Sequence, residues 1–139
     1  MGSRSLRKAV AEALSPYPPE QFEISGPDVD VSPKAVVALT LILHELATNA
    51  AKYGALGVSS GKVTVSWNVS EAQLTLSWKE TGGPQVKRPS RKGFGSRLIE
   101  ALSSGHLRGH VDLNYDVLGV NCIIGAPLDT EWNDHDHIH

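Results

Sequence analysis

The residues whose types and spacing could do chemistry gather first between Thr40 and Leu56, in TLILHELATNAAKYGAL. Glu45, Asn49 and Lys52 recur at four- and three-residue spacing, so on a helix they form one stripe. The stripe sets a carboxylate, a carboxamide and an ammonium in line. The two oxygen-bearing groups suit a hard cation and its waters, and the ammonium suits a phosphate. One reading is a magnesium–nucleotide site; the other is a solvated polar helix face. Ala47, Thr48, Ala50 and Ala51 are small and leave room for something to come close.

Two further places carry chemistry. Glu80 ends the alternating run Gln73 to Glu80, and a two-residue period puts it on the face of Leu74, Leu76 and Trp78. A carboxylate on a core-facing side is costly unless it accepts hydrogen bonds. It reads either as a pocket acceptor waiting for a donor such as an exocyclic amine, or as a residue that twists out to solvent at the strand end. Gly93-Phe94-Gly95-Ser96 then precedes the helical stretch RLIEALSSG. Glycines before a helix start let backbone N–H groups approach an anion, although one such turn is a weak signal. Between these places lies the basic loop Gln85 to Lys92, with Lys87, Arg88, Arg91 and Lys92.

The elements that must position these groups follow from pattern. Leu39, Leu43, Leu46 and Ala50 form the apolar stripe of a main helix. Ser32 is a cap and Pro33 a first helical residue, so the helix is expected from about Pro33 to Tyr53, with Gly54 as a left-handed C-terminal cap. Lys62 to Ser70 and Gln73 to Glu80 alternate around a Glu71-Ala72 turn and predict a hairpin. His110 to Val117 and Val120 to Pro127 predict a second hairpin around Leu118-Gly119, with the latter run apolar enough for a central strand. Gln21 to Ser25 and Asp28 to Val31 are short strand candidates. Ser5 to Leu14 predicts a helix ended by the Pro16-to-Pro19 joint, either the tail of an upstream element or a helix packed on the domain.

At 139 residues, 40% hydrophobic and 20% charged, the chain suits one globular domain. The net charge of -2 and pI near 6.3 argue against a bulk electrostatic partnership with nucleic acid or an anionic membrane. Cys122, the one cysteine, is expected to be a small buried residue and fits a reducing, cytoplasmic setting. No apolar run approaches the roughly 18–20 residues of a membrane span. The motifs of P-loop nucleotide sites, serine-hydrolase elbows and zinc helices are absent, since His44-Glu45 has no second histidine three residues on. Residues 1–19 read as a cloning remnant, linker helix and proline-rich joint, 20–129 as the domain, and 130–139 as a polar tail whose alternating His135, His137 and His139 are not expected to bind metal in function.

Taken together, Glu45-x-x-x-Asn49, Glu80-Thr81-Gly82-Gly83 and Gly93-Phe94-Gly95 resemble the N, G1 and G2 boxes of the Bergerat (GHKL) ATPase superfamily. His44 in HELATNAAKYGAL, the Trp78-Lys79-Glu80 triplet and GFGSRLIE narrow the resemblance to the HWE family of bacterial sensor histidine kinases, over roughly Leu14 to Leu128. The resemblance implies an α/β sandwich (α+β) of the Bergerat ATP-binding type, with a mixed, largely antiparallel sheet and helices on one face. Pattern alone reaches only α+β.

The resemblance also implies roles. Asn49 would ligate Mg2+, Glu45 would polarise groups near the γ-phosphate, and Lys52 would contact phosphate. Tyr53 would line the ATP pocket, and Glu80 stands where an aspartate usually accepts from the adenine amino group. Gly82 matches the first glycine after that acid, and Pro84 departs from a usual second glycine. Gly93, Phe94 and Gly95 complete the nucleotide-binding set, and Lys87 to Lys92 would be a short lid. His44 points away from the core and is assigned to lid or partner contact. The implied activity is transfer of the γ-phosphoryl group to a histidine on a separate, usually homodimeric dimerisation domain, with a response regulator downstream and the acceptor histidine outside this chain. Two alternatives keep the fold: an interaction module with lost nucleotide binding, and a serine kinase of the anti-sigma type.

Overall fold

The structure, a computed structural model, describes residues 4–84, 108–116 and 119–128. The basic loop, Gly93-Phe94-Gly95, the helix expected after them, the Leu118 turn residue and the histidine tail lie outside the described residues. In order, the elements are β1 (Arg4–Ser5), α1 (Leu6–Leu14), β2 (Phe22–Ser25), β3 (Asp30–Val31), α2 (Pro33–Tyr53), β4 (Lys62–Ser70), β5 (Gln73–Thr81), β6 (His110–Asp116) and β7 (Gly119–Pro127). Five strands form one mixed sheet in the order β2-β4-β5-β7-β6. β2 runs parallel to β4, and every other pairing in that sheet is antiparallel.

α2 begins where the cap chemistry predicts. Ser32 is extended (φ -67, ψ 158), its Oγ accepts from the Ala35 N–H at 3.0 Å, and Pro33 follows. Ala38, Leu39, Ile42, Leu43, Leu46, Ala47 and Ala50 are buried along one side. They pack in one core with Val63, Val65 and Trp67 of β4, Leu74, Leu76 and Trp78 of β5, and Cys122, Ile124 and Ala126 of β7. Apart from the buried Gly125, the strand residues between these are half-buried or exposed: Thr64, Ser66, Asn68, Thr75, Ser77, Lys79 and Ile123. The helices therefore cover one face of the sheet and leave a largely polar face to water. By length and composition alone α2 would pass for a membrane span. Its apolar side is instead the centre of the core.

The β4–β5 hairpin is set by a two-residue turn with Ser70 opposite Gln73. Glu71 and Ala72 both adopt positive φ, 53° and 61°, the arrangement whose twist matches paired strands. β7 lies between β5 and β6, as its continuous apolar run predicts. Burial, with Asp112 adding to it, pushes the Cys122 thiol up to about 12, so it stays an unionised packing group.

The N-terminal helix packs on the domain. Leu6, Val10, Ala13 and Leu14 join the same core, so the core runs without a break across the boundary expected at residues 19 and 20. β1 pairs with β3, and the Leu6 N–H donates to Val29 O. Arg7 donates to Gly26 O and lies over the Trp67 ring, 5.5 Å from its centroid. Trp67 Nε1 donates to Pro27 O at 2.8 Å. One arginine and one indole thus tie α1, the Gly26-Pro27 turn and β4 together.

Candidate functional site

The site forms where the C-terminal end of α2 meets the end of β5. Glu80 faces the core side, only 4% exposed, in register with Val63 of β4. Its Oε1 accepts from the Ala55 N–H at 3.1 Å and its Oε2 from Trp78 Nε1 at 2.9 Å. Strand parity left open whether Glu80 turns inward or twists out to solvent; it turns inward, and its donors are the chain's own Ala55 and Trp78. Burial pushes the carboxyl above its usual range, and the Trp78 and Ala55 hydrogen bonds oppose that shift. A carboxylate has about four acceptor sites, and two remain after these bonds.

The left-handed cap expected at Gly54 is not formed. Gly54 has φ -131 and ψ -145, and its N–H returns to Ala50 O at 2.9 Å. Close approach explains the glycine instead: a Cβ there would collide with Glu80 Oε1. Gly82 is the position that needs left-handed backbone, with φ +73, and its carbonyl accepts from Ser60 Oγ at 2.9 Å. Gly83 lies against Gly54 and Ala55, where a side chain would overlap the backbone. The short helical turn Ala55–Gly57 and the rest of the 54–61 loop are therefore pressed between α2 and the Glu80–Gly83 corner.

Glu45 and Asn49 are half-buried on α2, one turn apart, and Lys52 is exposed one turn further on. Tyr53, 73% exposed, stands at the last position of the helix, one residue before Gly54. His44 is exposed on the same helix. Helix spacing thus brings Glu45, Asn49 and Lys52 into one line, and the Ala55–Glu80 bond joins that line's C-terminal end to Glu80, Gly82 and Gly83. Gly93, Phe94 and Gly95 lie outside the described residues. Among the described residues no three His, Cys, Asp or Glu side chains group as a metal cage. A lone carboxamide such as Asn49 fits only a cation that keeps most of its ligands as water, which is the habit of magnesium.

Sequence reasoning missed the internal partners of Glu80. Trp78 was readable, because alternation puts residues 78 and 80 on one face. The Ala55 N–H and the Ser60 hydroxyl carry no pattern signal, since both sit in an irregular loop.

This arrangement, a mixed sheet backed by helices with a strand-end acid against a long helix, is the α+β fold of histidine kinase catalytic domains. The histidine kinase domain from the Erythrobacter litoralis EL346 blue-light activated histidine kinase superposes with a TM-score of 0.71 at 20% identity, over 92% of this chain and 61% of that one. The catalytic domain of the histidine kinase ThkA gives a TM-score of 0.71 at 15% identity, over 91% and 95%. In sequence, a blue-light-activated histidine kinase of Brucella anthropi is 42% identical over 123 residues, 84% of this chain and 25% of that protein. Blue-light-activated histidine kinase 1 of Erythrobacter litoralis is 40% identical over 112 residues, 78% of this chain and 31% of that protein. No protein-family model matches the chain. Over most of its own length the chain is similar to these histidine kinases, and it spans about a quarter to a third of the length of the curated relatives it matches.

Proposed function

We propose that this chain is the ATP-binding catalytic domain of a sensor histidine kinase, and that it donates the γ-phosphoryl group of Mg-ATP to a histidine on a separate dimerisation domain. The observation that carries the reading is the junction of the Glu45/Asn49/Lys52 line with the buried Glu80 and its glycine corner through the Ala55 N–H. Asn49 would add a side-chain oxygen to the magnesium shell, and Lys52 would neutralise phosphate charge. Glu45 would polarise groups at the transferring phosphoryl. Tyr53 would flank the base, and Glu80 would accept from its amino group with an acceptor site left over after Ala55 and Trp78. Gly82 would give the turn beside the base, and Gly93, Phe94 and Gly95 would bring backbone N–H groups to the phosphates. ATP supplies the phosphoryl group; the protein's part is placement and charge stabilisation.

The homodimeric dimerisation domain, a downstream response regulator and a cytoplasmic location complete the proposal. Its test is phosphoryl transfer from γ-labelled ATP to an added dimerisation domain that bears a histidine. Label that is lost in acid supports histidine as acceptor. Acid-stable label would point to serine, and no transfer alongside tight nucleotide-free docking would point to an interaction module.

A further inference from the structure

Gln21 ends the short helical turn Pro19–Gln21 just before β2, and it is 7% exposed. A buried carboxamide must find partners for its donors or lose their hydration for nothing. Here Nε2 lies 2.9 Å from Val58 O, 2.9 Å from Gly61 O and 3.4 Å from Ala55 O. Two amide hydrogens therefore serve three carbonyls, with the longest contact shared. All three carbonyls belong to the 54–61 loop between α2 and β4.

That loop has little to hold its own shape. Its internal backbone bonds are Gly57 N–H to Gly54 O at 3.0 Å and Gly61 N–H to Val58 O at 3.1 Å. Yet two of its groups reach the Glu80 corner: the Ala55 N–H on Glu80 Oε1, and Ser60 Oγ on Gly82 O. Ala55 is thus held through both backbone groups, its carbonyl by Gln21 and its N–H by Glu80. An apolar side chain at position 21 would fill the same core volume and leave three inward carbonyls without that donor.

We propose that Gln21 is a positioning residue of the nucleotide site: by holding the Ala55, Val58 and Gly61 carbonyls it fixes the Ala55 N–H that orients Glu80 and the Ser60 hydroxyl that secures the Gly82 turn. This role rests on the nucleotide reading of the same corner, and Gln21 makes no contact with the nucleotide itself.

The test uses the 15N-labelled chain in three forms: the parent, Gln21→Met, and Arg7→Ala as a destabilised control remote from the corner. Mg-ATP affinity is measured by calorimetry, and the Ala55 amide resonance by NMR. Gln21→Met is expected to weaken Mg-ATP by about tenfold, on the scale of one buried group left unsatisfied. It should also shift the Ala55 amide upfield while resonances of β6 and β7 stay in place. Arg7→Ala should lower stability and change neither readout. Parent-like affinity and an unmoved Ala55 amide in folded Gln21→Met would overturn the role of Gln21 while leaving the nucleotide reading intact. A parent that does not bind Mg-ATP overturns that reading and this proposal with it, and the Ala55 shift still reports whether the clamp exists. If Gln21→Met does not fold, Gln21→Asn keeps the amide but withdraws it by one methylene. Weaker Mg-ATP binding with a shifted Ala55 amide then supports the role, and parent-like values of both overturn it.

Discussion

Replacing Trp78 by Phe tests how the buried carboxylate is kept in place. The substitution keeps an aromatic ring beside Phe22, whose ring meets Trp78 edge-on at 6.3 Å, and removes the indole N–H from Glu80 Oε2. A hydrogen bond to a charged acceptor is worth about 1.5–3 kcal/mol, against about 0.5–1.5 kcal/mol for a neutral one. Trp67→Phe is the control, because Trp67 Nε1 donates to the neutral Pro27 carbonyl at the edge of the core, and both variants carry Arg7→Ala so that the Arg7 contact with the Trp67 ring drops out of the comparison. Both variants lose the same side-chain volume, so Trp78→Phe is expected to cost about 1–2 kcal/mol more than Trp67→Phe. The excess must depend on pH. Burial already raises the Glu80 carboxyl, and the Trp78 bond lowers it, so removing the bond raises it further. Below the ordinary carboxylate range Glu80 is protonated in both folded and unfolded states, and the carboxylate part of the cost is absent. As pH rises through the folded value the native state must ionise a less well solvated group, so the excess grows and then levels off. Urea unfolding of both variants between pH 4 and pH 8, followed by circular dichroism, reads the difference; the pH limits are roughly those that bracket a raised carboxylate. Equal costs for the two variants, or an excess that does not change with pH, would refute the idea that Trp78 stabilises an ionised Glu80.

Other outcomes follow from the same geometry. Gly54→Ala should destabilise by about 1–3 kcal/mol, because the new methyl displaces Glu80 Oε1 from the Ala55 N–H. Most of that cost should vanish in a Glu80→Ala background, as a double-mutant cycle in urea would reveal. Glu71→Asn with Ala72→Gly should stabilise by about 1 kcal/mol, since both positions already have left-handed backbone that these residues adopt more readily, and thermal unfolding would detect it. Ser32→Ala should cost about 1 kcal/mol by freeing the Ala35 N–H, again measured by unfolding.

Much of the frame was legible because local chemistry and tertiary packing agree. Ser32, Pro33 and the 3.6-residue stripe marked the bounds of α2, and period-two alternation marked β4, β5 and their turn. Alternation also put Trp78 and Glu80 on one face. What stayed hidden depends on contacts distant in sequence. β1 and β3 are two residues long and have no period to read. Nothing in Phe22–Ser25 says that it lies parallel to β4. The docking of α1 joins its apolar stripe to the core and Arg7 to Gly26 and Trp67, partners far apart along the chain. Gly54 does cap the helix, but its left-handed conformation was expected only because that is the commonest use of glycine there. The approach of Glu80, far along the chain, is what requires it. Gln21 was legible only as the first residue of a short strand candidate, since a glutamine after Pro18-Pro19-Glu20 gives no sign of burial until the loop folds over it.

The central claim is that the α2 line and the Glu80 corner are two sides of one Mg-ATP pocket. Calorimetric titration of the chain with ATP, with and without magnesium, tests it most directly. Binding should be saturable and magnesium-dependent, near one nucleotide per chain, and abolished by Asn49→Ala in a variant that still unfolds cooperatively. Absence of saturation at millimolar ATP with magnesium, or Asn49→Ala binding as the parent does, would contradict it.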